Sequence, residues 1–119
     1  MTEKTIRDLM EHLPDFFAPS RAAGVSAIVK FVISGSEGGE WDVVIENGKC
    51  LVSQGAIEAA NLIFFAPGQD VLDIFYNRLD PMQAYLQGRL RLKGNFSLAL
   101  RLFDLFDIDA EKLEQLKRD

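Results

Sequence analysis

The chain holds one histidine, His12, and one cysteine, Cys50. A metal centre of the usual kind draws several ligands from these two types, and a thiol nucleophile needs a base beside it. His12 falls on an N-terminal helix, where an exposed position is expected. Cys50 lies between Lys49 and Leu51 of a strand, and a small buried hydrophobe is the expected role there. Asp104, Asp107, Asp109 and Glu111 hint at a calcium loop, but the central glycine and the ligand spacing are missing, so they read as helix-end charges. The glycines at 35, 38 and 39 have neither the dinucleotide-binding nor the P-loop form, and suit a hairpin turn. No catalytic constellation emerges, and the expectation is a protein that is not an enzyme, with no cofactor and no metal.

Two other features ask for an explanation. Between residues 78 and 101 stand five cations (Arg78, Arg89, Arg91, Lys93, Arg101) and one acid, Asp80, a local excess of four positive charges in a chain of net charge −5. Three of them, Arg89, Arg91 and Lys93, share one strand face. That face is either an ordinary solvated one or a patch for transient contact with an anionic membrane surface, at roughly 1 kcal/mol per cation. The second feature is an excess of apolar surface. A helix over 96–106 carries one stripe of Phe96, Ala99, Leu100, Phe103 and Phe106 and another of Leu98, Leu102 and Leu105. An outer helix of a small domain needs a stripe only about 100° wide, so neighbouring elements, a partner subunit or an apolar ligand must cover the second side. Residues 71–86 are similarly overloaded.

A length of 119 residues suits a single domain, 1–119. The composition, 48% apolar and 26% charged, is that of a soluble globular protein. The acidic balance argues against nucleic acid as a partner. A lone cysteine fits a reducing compartment, no stretch has the form of a signal peptide or bilayer span, and a cytoplasmic location is expected.

Helical spacing of Ile6, Leu9, Met10 and Leu13 predicts a helix over 3–13, capped by Thr2 or Thr5. Period-two alternation then predicts strands over 25–33 and 40–46, the second with Trp41, Val43 and Ile45 inward and its acids outward. Asn47-Gly48 signals a tight hairpin into a third strand over 49–54, and 61–66 reads as a fourth, apolar on both faces. Helices follow over 69–76 and from Asp80-Pro81 to Leu86, with Asp80 as N-cap. The 89–93 strand points leucines inward and cations outward, and Asp109 caps a polar terminal helix.

Three segments, Gly39-Glu40-Trp41, Leu79-Asp80-Pro81-Met82-Gln83-Ala84-Tyr85 and Gly88-Arg89-Leu90-Arg91-Leu92-Lys93-Gly94-Asn95, carry a family resemblance. In order and spacing they are similar to the sterol carrier protein type-2 family of non-specific lipid-transfer proteins, over roughly residues 5–107. Asn77-Arg78 departs from the family's frequent glycine-lysine, and the chain lacks the peroxisomal signal of animal members. The resemblance implies an α+β fold: a five-stranded, mostly antiparallel sheet with helices packed on one face around an apolar tunnel. It further implies that the chain binds, and transfers or presents, fatty acyl chains, sterols or isoprenoids. Trp41, Val43, Phe64, Leu72, Phe75, Met82, Leu98, Leu102 and Phe106 are the expected lining, with polar headgroups near Gln87 or Arg101. A dry void of about 400 Å³ would cost roughly 10 kcal/mol, so either a lipid fills the tunnel or side chains have shrunk it. The alternative is an interaction module, a homodimer or an accessory of a lipid or ubiquinone biosynthesis pathway, that uses the helix 96–106.

Overall fold

The computed structural model describes residues 6–35, 38–55 and 59–106, apart from the side chain of Leu100. Five strands, β1 (Ala27–Ser34), β2 (Gly39–Glu46), β3 (Lys49–Gln54), β4 (Leu62–Pro67) and β5 (Arg91–Gly94), form one sheet in the order β3-β2-β1-β4-β5. All neighbouring pairs are antiparallel except β1 with β4, which run parallel. Among the described residues there are also four helices, α1 (Ile6–His12), α2 (Gly68–Phe75), α3 (Pro81–Leu86) and α4 (Phe96–Leu102), and 3₁₀ turns at Leu13–Phe16, Pro19–Ala22 and Phe103–Leu105. The α+β class and the mostly antiparallel five-stranded sheet are those expected from the sequence. Thr2, Thr5 and the terminal helix with its cap Asp109 lie outside the described residues. Among the described residues, no helix is long and apolar enough to cross a membrane.

Local chemistry explains the joints. Asn47 and Gly48 both take positive φ, 53° and 72°, as the tight turn from β2 to β3 demands. The Asp80 carboxylate accepts a hydrogen bond from the Gln83 amide at 3.2 Å, and Pro81 opens α3 with φ already set for a helix. At the end of β5, Gly94 has φ 114°, and a Cβ there would collide with the carbonyl of Asn61. Asn95 then caps α4 by accepting from the Leu98 amide at 3.1 Å.

One face of the sheet is packed. Val29, Phe31 and Ile33 of β1, Trp41, Val43 and Ile45 of β2, and Leu62, Phe64 and Ala66 of β4 are all buried. Register places Trp41 beside Phe31, Phe31 beside Phe64 and Phe64 beside Leu92, one row across the inner face. The opposite face differs from the expectation at Asp42. Its alternation assigns it to water, yet it is fully buried, because Lys30 directly opposite on β1 brings its Nζ within 2.8 Å of Asp42 Oδ1. Lys30 also lies 3.4 Å from Glu40 Oε1. β4 likewise has unequal faces: Ile63 is half-buried and Phe65 exposed.

The expected helix over 96–106 ends earlier. Past Leu102 the chain tightens into a 3₁₀ turn and Phe106 is extended, because it forms an antiparallel bridge with Phe17. The Ala18 amide donates to the Leu105 carbonyl at 2.8 Å. This N-terminal segment helps to cover the second apolar stripe, so Leu102 and Leu105 of that stripe, with Phe106 of the first stripe, are all buried within the chain itself.

Candidate functional site

Aromatic rings occupy the space between the sheet and the C-terminal helices. Phe31 stacks on Phe64 with centroids 5.0 Å apart, and Phe103 meets Phe64 edge-on at 5.3 Å. Phe75 stands 5.0 Å from Phe103 and 6.0 Å from Phe106, which in turn lies 5.6 Å from Phe17. Such a run of rings consumes volume that an open tunnel would need. Beside the rings, among the described residues, lie two adjoining cavities.

The first, of about 190 Å³, lies between α3, β5 and α4. Its floor is Phe64 of β4, with Leu90, Leu92, Ala99 and Phe103 around it, and all of these are buried or half-buried. Its rim is Met82, Tyr85 and Phe96, large apolar residues left 46%, 42% and 52% exposed. The Tyr85 and Phe96 rings face each other edge-on across 6.3 Å. Three exposed apolar groups around one opening are a liability in water unless something apolar enters there. The second cavity, of about 310 Å³, shares Pro81, Ala99 and Phe103 with the first but has a mixed lining, including Asn77, Asp80 and Asp104.

The expected lining residues divide. Phe64 and Met82 border the apolar cavity, and Phe75 and Phe106 border its neighbour. Trp41, Val43, Leu72, Leu98 and Leu102 border neither. Trp41 packs beneath the Arg7 guanidinium of α1, 5.6 Å from the ring centroid, two strands away from Phe64. Val43, Leu72 and Leu102 are buried in the core, and Leu98 is half-buried against it. Six further residues border the apolar cavity: Tyr85, Phe96, Ala99 and Phe103 belong to the two segments with excess apolar surface, and Leu90 and Leu92 are the inward leucines of the 89–93 strand.

The polar candidates resolve differently. Arg89 is not a member of a free cationic face: its Nη2 donates to Asp70 Oδ1 at 2.6 Å and its Nε to Asp70 Oδ2 at 3.4 Å, tying the start of β5 to α2. That hydrogen bond raises the Arg89 pKa further, while Arg91 and Lys93 remain exposed. Gln87 takes part only in a 3.5 Å contact with Arg89 among the described side-chain bonds, and Arg101 is exposed. His12 closes α1 half-buried, its Nδ1 3.1 Å from Asp15 Oδ2. Burial pushes the Cys50 thiol up to about 12, so it stays protonated and a poor nucleophile at neutral pH. Among the described residues, no group of three His, Cys, Asp or Glu is placed to hold a metal ion.

Against this geometry, the sequence profile of the SCP-2 sterol transfer family matches residues 6–107, nearly all the described fold. The chain belongs to that family. Hydroxysteroid dehydrogenase-like protein 2 of Xenopus tropicalis is 34% identical over 76 residues, which are 63% of this chain and 18% of that protein. The chain therefore spans about a fifth of the length of such curated relatives. Among solved structures, the sec-alkylsulfatase Pisa1 from Pseudomonas sp. superposes with a TM-score of 0.77 at 18% identity, over 86% of this chain and 16% of that one. Palmitated SCP2L2 from Aedes aegypti superposes with a TM-score of 0.65 at 21% identity, over 85% of this chain and 93% of that one. The SCP-2 domain is a lipid-binding fold, and these comparisons cover nearly all of one solved chain and small parts of much longer ones.

Proposed function

We propose that this chain binds a single-chain lipid or similar hydrophobic molecule, without chemistry, in the apolar cavity between α3, β5 and α4. The observation that carries the reading is the apolar opening itself: Met82, Tyr85 and Phe96 exposed around a floor of Phe64, Leu90 and Leu92, in an SCP-2 fold. The Aedes aegypti structure supports it, since that protein is palmitated. An extended chain entering here passes the rim and lies along Phe64 towards Phe103. The contact residues are then Phe64, Met82, Tyr85, Phe96, Ala99 and Phe103, with Phe75 and Phe106 beyond them. Trp41, Val43, Leu72, Leu98 and Leu102 would act by shaping the core behind this wall.

Ala99 gives the cleanest test, because it lines the cavity from the middle of α4. Ala99→Phe introduces a ring into a space of about 190 Å³ without burying a polar group. Binding of a medium-chain lipid, followed by native mass spectrometry or displacement of a fluorescent fatty probe, is expected to fall by about tenfold or more. That corresponds to roughly 1.4 kcal/mol. Far-UV circular dichroism should stay unchanged. Undiminished binding by a folded Ala99→Phe variant would remove this cavity from the reading.

A further inference from the structure

We propose that the mixed cavity beside the apolar one is a head-group site for an ammonium, so that the protein selects long-chain amphiphiles with cationic heads over those ending in a carboxylate. The inference rests on the apolar cavity holding the chain, and adds what lies at its other end. Ligand pockets span roughly 300–1,000 Å³. The apolar cavity alone, about 190 Å³, falls short of that range, while its neighbour adds about 310 Å³ across a shared wall. One ligand across both is a better fit than one confined to either, and Phe103 stands where chain would give way to head.

The lining chooses the head. Phe75, Phe103 and Phe106 contribute three aromatic rings, and Asn77, Asp80 and Asp104 contribute an amide and two carboxylates; among the described residues, no cation lines the cavity. Rings attract a cation through their quadrupole, and carboxylates do so through charge, so both kinds of wall favour an ammonium and neither favours an anion. Two nearby cations are already engaged. Arg21 Nη1 donates to the main-chain carbonyl of Asp104 at 3.1 Å, and Arg78 Nη2 lies 2.9 Å from Asp73 Oδ1. Asn77 reaches its place because it adopts φ 61° at the turn leaving α2, a conformation asparagine tolerates better than most residues. Asp80 and Asp104 are exposed, so salt screens them and the selection should be several-fold rather than absolute.

Three ligands with the same tail make the test: dodecyltrimethylammonium, dodecanol and dodecanoate, each titrated below its micelle concentration at neutral pH and low salt. The expected order of affinity is ammonium, then alcohol, then carboxylate, with about fivefold or more between the extremes and a smaller gap at high salt. In Asp80→Asn/Asp104→Asn the gap should narrow to what the rings alone supply, while dodecanol binds as before; asparagine keeps the α3 cap, so the fold is preserved. Dodecanoate binding as tightly as the ammonium, or a gap that the double substitution leaves undiminished, would overturn the head-group site and leave the lipid-binding reading standing. Failure of all three to bind would overturn both.

Discussion

Phe64→Ala is expected to lower the unfolding free energy by about 3–5 kcal/mol, a large part of the roughly 5–15 kcal/mol that holds a domain together. Phe64 is 1% exposed, stacked on Phe31 and met edge-on by Phe103, so two other elements lean on one ring. It is also the floor of the apolar cavity. Its removal should therefore enlarge that cavity instead of leaving an isolated void. A consequence distinguishes this site from ordinary core: an apolar ligand that fills the new space should restore part of the lost stability, because binding to the native state alone shifts the unfolding equilibrium. Urea titrations with and without dodecanol would measure both effects. A loss below about 1 kcal/mol would show that the ring is not the keystone described.

The second large effect lies on the other face of the sheet. Lys30→Met should destabilise the fold by about 3 kcal/mol at neutral pH, since it removes the cation beside a fully buried carboxylate at Asp42. Replacing both partners, Lys30→Met with Asp42→Leu, should recover most of that loss, because the buried charge is gone. The pH dependence has a definite sign. The hydrogen bond with Asp42 raises the Lys30 pKa above its ordinary 10.5, against the opposing effect of burial. Stability from a raised lysine is fully present below the unfolded value and lost as pH rises through the folded one. The wild-type advantage over Lys30→Met should thus hold up to about pH 10 and shrink above 10.5. Equal unfolding free energies at neutral pH would contradict the pair's assigned role.

Much of the architecture was legible because local rules and tertiary packing agree. Asn47-Gly48 is a dipeptide that suits a type I′ turn, and the hairpin forms there. Asp80-Pro81 is cap and first helical residue in two letters. Where the rules failed, a distant partner decided. Asp42 looks solvated by alternation, but its environment is set by Lys30 on another strand. The helix over 96–106 stops short because Phe106 pairs its backbone with Phe17, a contact spanning most of the chain. Arg89 looks like part of an open cationic face until α2 places Asp70 against it.

The site shows a different limit. Periodicity separates inward residues from outward ones, but Leu102 in solid core and Ala99 beside a cavity are both simply inward. Whether an apolar side chain meets another side chain or empty space depends on how the rings pack, above all Phe103 between Phe64 and Phe75. The exposed Met82, Tyr85 and Phe96 were the available clue. Too apolar for water, they sit at the ends of elements that meet in space, and only the topology brings them together.

The central claim is that this chain carries a lipid, and the most direct measurement is a native mass spectrum of the purified protein paired with organic extraction and mass spectrometry of whatever it holds. The expected result is a protein carrying one lipid, or, when purified empty, one that takes up a single added chain. An empty protein that ignores every added lipid, at any ratio, would contradict the account.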